Sequence, residues 1–225
     1  MKIIYDKYDK QKITGLPIAE FSGHIIVITS KRDTDRAVDY LLTQPILGLD
    51  TETRPTFKKG KHNKVALLQV STESECFLFR LNKIGVLTDS LVRLLKDDQI
   101  IRVGLSLKDD FRVLCERKKF TPGRFVEIQQ EVKALGVQDM SLQKLYANLL
   151  GGHIVKAQQL SNWEASQLTE KQQRYAATDA WSCIQLYKEI KKLIANEDFI
   201  LEKTEGGITP PLPSVGVLGS DTPHE

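Results

Sequence analysis

Two carboxylates, Asp50 and Glu52, interrupt the otherwise apolar stretch Ile46 to Thr53, which reads as a buried strand. At i and i+2 in a strand their side chains share one face, about 6 to 7 Å apart. Burying two like charges is costly unless something neutralises them. A divalent cation such as Mg²⁺ or Mn²⁺ does so economically, because it takes hard oxygen ligands from one or two carboxylates together with water and phosphate. An exposed strand end bearing two acids is the competing reading, and this pair alone does not choose between them.

A second constellation is Tyr175 and Asp179 in the segment YAATDA, where a spacing of four puts phenol and carboxylate on one helix face. They lie beside the Ala176/Ala180 ridge, so Asp179 is expected at the edge of the core, and the small Ala176 and Ala177 leave room for close approach by a backbone or ligand. A Tyr–Asp pair on a solvated face is the alternative. The third constellation is Asp109 and Asp110 in VGLSLKDDFRVL, a strand running into a helix. Ser106 and Asp109 have the spacing of a capping box, and acids in a first turn also favour the helix dipole without any chemistry. Periodicity does not decide between the two aspartates.

The elements that must position these groups follow from patterning. Strands are expected at His24–Thr29, Ile46–Thr53, Val65–Ser71, Cys76–Leu81, Ile100–Leu105 and Phe125–Ile128. Helices are expected through Ala37, Leu41 and Leu42, then at Leu87–Leu95, Asp109–Lys118 and Ser141–Leu150, the last stopped by Gly151 and Gly152. A long helix over about 169–195 opens on a Thr169/Gln172 capping box. The three consecutive strands from Ile46 to Leu81 form an antiparallel meander, and helix and strand alternate afterwards, so a mixed α/β sheet covered by helices is expected.

With 225 residues, of which 41% are hydrophobic and 27% charged, the chain suits one substantial core. Residues 1–20 read as a polar leader and 21–200 as the domain. Residues 201–225 are expected to be a disordered tail, since from Thr204 onward they hold four of the eight prolines and four of the fourteen glycines. The net charge of +3 permits a polyanionic partner without requiring one. Cys76, Cys115 and Cys183 form no CxxC pair, which argues against a disulfide framework or zinc cluster and suits a reducing cytoplasmic setting. No apolar run in the first residues resembles a signal peptide or span, so no membrane role is expected. His24, His62 and His153 show no metal-triad spacing. Lys58, Lys59, Lys61 and Lys64 could hold phosphates, although a solvated hairpin tip is the commoner fate of such a run. Trp163 and Phe57 could stack on bases, against the commoner core role of a lone Trp.

Taken in order, LDTET, the Asp109 segment and YAATDA resemble the three motifs of the DEDD superfamily of 3′-to-5′ exonucleases, in the tyrosine-bearing subgroup that includes RNase D and the Werner-type exonuclease domain. Asp109 fits the second motif through the apolar pair Val113 and Leu114 that follows it. The resemblance runs from about residue 24 to 195, and includes SNW at 161–163 and the stretch from Leu168 to Tyr175. It implies an RNase H-like fold and hydrolysis of the terminal phosphodiester of DNA or RNA from the 3′ end, releasing nucleoside 5′-monophosphates. It also implies two divalent cations held by Asp50, Glu52, Asp109 and Asp179, with Tyr175 orienting the attacking water. The helical accessory domain that follows the nuclease domain in RNase D is not seen. Two other readings remain: a catalytically silent nucleic-acid-binding module of the same fold, and a nuclease limited to very short oligonucleotides.

Overall fold

The computed structural model describes residues 1–57, 60, 62–204 and 207–209. In chain order the elements are β1 (Lys2–Tyr5), α1 (Lys10–Ile13), β2 (His24–Ile28), α2 (Lys31–Leu41), β3 (Ile46–Glu52), β4 (Leu67–Ser71) and β5 (Glu75–Arg80). There follow α3 (Leu81–Ile84), α4 (Asp89–Lys96), β6 (Ile101–Gly104), α5 (Leu107–Arg117), β7 (Phe125–Glu127) and α6 (Ile128–Glu131). A 3₁₀ turn at Val132–Leu135 leads to α7 (Leu142–Leu150), α8 (Glu170–Asn196), β8 (Phe199–Lys203) and β9 (Gly207–Thr209).

Six strands form the main sheet in the order β2-β5-β4-β3-β6-β7. The meander β3-β4-β5 is antiparallel, whereas β2 joins β5, β6 joins β3 and β7 joins β6 in parallel. Alternation along these strands divides the apolar side chains between two faces. Leu47, Leu49, Leu68, Val70, Phe77 and Phe79 pack with the apolar stripes of α2, α4 and α5. The opposite face meets α7 and α8, where Val103, Leu145, Leu149, Ile184 and Ile190 form one cluster and Leu67, Leu78, Trp163, Ala176 and Ala177 another. The structure is thus the mixed sheet flanked by helices that the patterning predicts.

Helix α8 packs unusually close to β3. A Cβ added to Gly48 would lie 2.0 Å from the Ala180 carbonyl oxygen. Gly48 and the fully buried Ala180 therefore set the spacing between helix and strand. The helix begins as predicted: Thr169 accepts from the Gln172 amide, and Gln172 reciprocates at the cap backbone. Gly151 adopts the left-handed conformation at the end of α7, with φ of 66°.

The chain ends depart from the sequence reading. Residues 1–20 belong to the fold, because β1 pairs in parallel with β8, which pairs in turn with β9. Ile4 and Ile13 are buried. The Tyr5 amide donates to Asn148, and Asp6 accepts from the backbone amide and hydroxyl of Thr204. The tail expected from 201 thus begins with ordered strand; residues 205–206 and 210–225 lie outside the described residues, as do Lys58, Lys59 and Lys61 of the lysine loop.

Candidate active site

The parallel pair β3 and β6 separates at its carboxyl end. Gly48 opposite Val103 is the last matched pair, and β6 stops at Gly104 while β3 continues to Glu52, bonded beyond that point only to β4. Open α/β sheets place ligand sites at such strand ends. Asp50 and Glu52 project towards α8, and Thr51 between them points to the other face, where α5 lies. Asp179 on α8 stands one residue before Ala180, the contact point with Gly48, so close helix packing brings its carboxylate to the pair on β3. Ligand oxygens of Asp50, Glu52 and Asp179 all lie within 4.8 Å of one another. Tyr175, one turn earlier on α8, donates its hydroxyl to Asp179.

The second-motif acid needs correction. Asp109 does not join the cluster: its side chain is 78% exposed and pairs with Arg112. Asp110 stands beside it instead, accepting a hydrogen bond from the Thr51 hydroxyl, with its charge acting on Asp50 and Glu52. Helical geometry explains the difference. Leu107, Phe111 and Leu114 are the buried face of α5, and Asp110, at i+3 from Leu107, lies along that face; Asp109 is rotated away from it. Nor does Ser106 form the expected capping box. It sits in the left-handed region with φ of 67° and makes no side-chain cap, while Glu127 at the end of β7 accepts from the amides of Leu107 and Lys108.

Four acids in so small a space hold their protons tightly. Burial, then the charges of Asp110, Asp179 and Glu52, pushes Asp50 well above the usual carboxylate range. Burial with Asp179 and Asp110 raises Glu52 to about 9. Burial also lifts Asp110 to about 7 against the Thr51 hydrogen bond, and Asp179 to about 7 against the Tyr175 hydroxyl and the nearby charge of Lys156. Burial and the neighbouring acids keep the Tyr175 phenol protonated far above its ordinary value. Such a donor set lacks sufficient positive charge of its own and fits hard divalent cations.

Asp50, Glu52 and Asp179 line a cavity of about 290 Å³ together with Thr51, Leu105, Gln143, Lys156 and Gln159. Neither Lys156 nor Gln159 belongs to a sequence motif; both come from the polar loop before Trp163, where no spacing marks them. Trp163 itself is wholly buried, its ring centroid 6.1 Å from that of Tyr175, so it supports the site from below and is not available for stacking on a base. Phe57, by contrast, is 90% exposed. His24 and His62 are exposed and His153 half-buried, and among the described residues no histidine joins a metal-binding cluster.

Comparison with known proteins agrees with this geometry. A sequence model described as 3′-5′ exonuclease matches residues 25–195. The mouse bifunctional 3′-5′ exonuclease/ATP-dependent helicase WRN is 30% identical over 201 residues, covering 85% of this chain and 14% of the mouse protein. Ribonuclease D of Gluconacetobacter diazotrophicus is 25% identical over 173 residues, covering 76% of this chain and 44% of its own length. The chain thus spans only a part of these relatives. Among solved structures, the Nibbler EXO domain of Aedes aegypti superposes with a TM-score of 0.68 at 20% identity, covering 78% of this chain and 91% of that domain. Escherichia coli RNase D gives 0.65 at 20% identity, covering 76% of this chain and 46% of the enzyme. The matched sequence, the sheet order and the clustered acids at the end of β3 together show that the chain belongs to the 3′-to-5′ exonuclease family of the DEDD superfamily, on its RNase D and Werner-like side.

Proposed function

We propose that this protein removes nucleotides one at a time from the 3′ end of DNA or RNA, using two divalent cations, Mg²⁺ or Mn²⁺, and releasing nucleoside 5′-monophosphates. The observation that supports this most is the convergence of Asp50, Glu52 and Asp179 within 4.8 Å, with Asp110 at their side and the Tyr175 hydroxyl above. Asp50, on which the charges of the other three acids all act, would hold the cations together with Glu52, Asp110 and Asp179. Bound cations would supply a water of lowered pKa and charge stabilisation at the departing oxygen.

The chain's own groups do the positioning. Tyr175 stays protonated, so it acts as a hydrogen-bond donor that orients the attacking water and does not remove its proton. Thr51 holds Asp110 through its hydroxyl, and Glu52 would accept a hydrogen bond from the same water. In the reaction the water oxygen bonds to phosphorus, and the bond from phosphorus to the 3′ oxygen of the penultimate nucleotide breaks. A new 3′ hydroxyl and a 5′-monophosphate are left.

Strands labelled at the 5′ end, DNA and RNA in parallel, should give a ladder of products shortened by single nucleotides in Mg²⁺ or Mn²⁺. The same strands labelled at the 3′ end should lose their label at once as a mononucleotide. Asp50→Ala should abolish both, and Tyr175→Phe should slow them about a hundredfold or more. A ladder that survives unchanged in Asp50→Ala would remove the assignment.

A further inference from the structure

The exonuclease reading leaves one charge without a partner. Four carboxylates, Asp50, Glu52, Asp110 and Asp179, balance two divalent cations, and the phosphodiester that enters brings a further negative charge into the half-buried cavity. Among the residues lining that cavity, Lys156 is the cation. Its charge already acts on Asp179, yet among the described residues its ammonium makes neither ion pair nor hydrogen bond.

The loop that holds Lys156 is fastened along its length without using that side chain. Backbone bonds join His153 to Pro17 at 2.8 Å and to Ala19 at 2.9 Å. The Gln143 amide donates to the Ile154 carbonyl at 2.8 Å, and the Ser161 hydroxyl to the Gln158 carbonyl at 2.7 Å. Between these anchors the side chains divide between two cavities: Ile154, Lys156 and Gln159 line the acidic one, and Val155, Ala157 and Gln158 line the adjoining cleft under Ile18. The loop is therefore a shared wall whose built conformation turns one cation towards the acids.

We propose that Lys156 contacts the non-bridging oxygens of the scissile phosphodiester, supplying the positive charge that the cations and acids leave unbalanced. This rests on the exonuclease reading. An ammonium on a flexible stem suits the task, because it binds phosphate as a point charge without demanding a fixed fork geometry. A structural counter-ion to Asp179 is the alternative, and metal binding without phosphate separates the two roles, because losing a counter-ion tightens it and losing a phosphate contact leaves it unchanged. A counter-ion competes with metal for the carboxylate, whereas a phosphate contact matters only when phosphate is present.

The test uses the full chain and its Lys156→Ala and Lys156→Arg variants, with unfolding temperatures measured alongside. The product keeps the scissile phosphate as its 5′ group, so AMP and dAMP in Mg²⁺ serve as probes in calorimetry, and Mn²⁺ alone serves as the metal probe. Lys156→Ala should weaken monophosphate binding about tenfold or more, leave Mn²⁺ binding unchanged, and lower the cleavage rate. Lys156→Arg should recover most of the monophosphate affinity. Unchanged monophosphate binding in Lys156→Ala, with the wild type binding AMP and shortening strands, would overturn the Lys156 assignment alone. Parallel loss of Mn²⁺ and monophosphate binding would do the same, by showing that the lysine organises the metal site. A wild type that neither binds monophosphate nor shortens strands would overturn the exonuclease reading and this inference with it.

Discussion

Asp50, Glu52, Asp110 and Asp179 cost the metal-free fold stability, and the sign of that cost can be measured. Glu52 holds its proton up to about 9 in the fold but only to its ordinary 4.5 when unfolded, and Asp110 and Asp179 hold theirs to about 7 in place of 3.8. A raised folded-state pKa means that the native protein binds more protons than the unfolded chain across the interval, so stability falls as pH rises through about 4 to 9. In EDTA the unfolding temperature should therefore drop between pH 5.5 and 8.5. Asp50→Asn, which removes the most crowded charge, should raise it at pH 8 by roughly 2 to 8 °C, and Mg²⁺ should flatten the pH dependence of the wild type. A melting temperature that rises with pH in EDTA would contradict this picture of uncompensated acids. Much of the site is legible at this scale: a strand period of two joins Asp50 to Glu52, and a helical spacing of four joins Tyr175 to Asp179. Asp110 is not, because two adjacent acids in a first turn differ only by where the helix begins. Asp109 was expected to open that helix at its own position, but α5 starts two residues earlier, at Leu107, and the rotation exchanges the two side chains.

Helix α8 and strand β3 supply the acids between them, and the contact between Gly48 and Ala180 sets their separation. Gly48→Ala would drive a Cβ to 2.0 Å from the Ala180 carbonyl, a clash with backbone that no side-chain rotation relieves. The helix must shift, drawing Asp179 away from Asp50. The expected result is a loss of about 1–3 kcal/mol in denaturant unfolding, with divalent-cation affinity and exonuclease rate each falling tenfold or more. Retained cation affinity at wild-type level would show that the helix and strand do not need this spacing. The elements themselves were largely readable, since both α8 with its Thr169/Gln172 box and the meander follow from patterning. The close approach was readable only as permission, through Ala176 and Ala177, because it falls one turn on, where Ala180 meets a glycine more than a hundred positions away. Capping at α5 was misread for a related reason: Ser106 has the spacing of a cap, but Glu127 on a neighbouring strand fills that role.

Over the whole molecule, the three-stranded sheet β1-β8-β9 ties the two ends of the chain to the α7–α8 side of the core. These elements lie outside residues 25–195, the stretch matched by the family. Removing residues 1–20 would expose the pocket of Ile4 and Ile13 and the unpaired edge of β8. The truncated chain should lose at least about 3 kcal/mol of stability in urea, which a wild-type midpoint would contradict. Neither end announces itself in the sequence, because β1 is a short strand with one fully buried residue whose partner comes almost two hundred positions later. Among the described residues no helix is long and apolar enough to cross a membrane. What the whole assembly achieves is the meeting of acids from β3 and α8 in one cavity, with an acid of α5 beside them, and counting bound ions tests that most directly. Mn²⁺ titration of the full chain in the presence of AMP should give two sites in the wild type and in Asp109→Asn, and fewer in Asp110→Asn. Absence of Mn²⁺ binding, or loss of a site in Asp109→Asn with both retained in Asp110→Asn, would contradict the account.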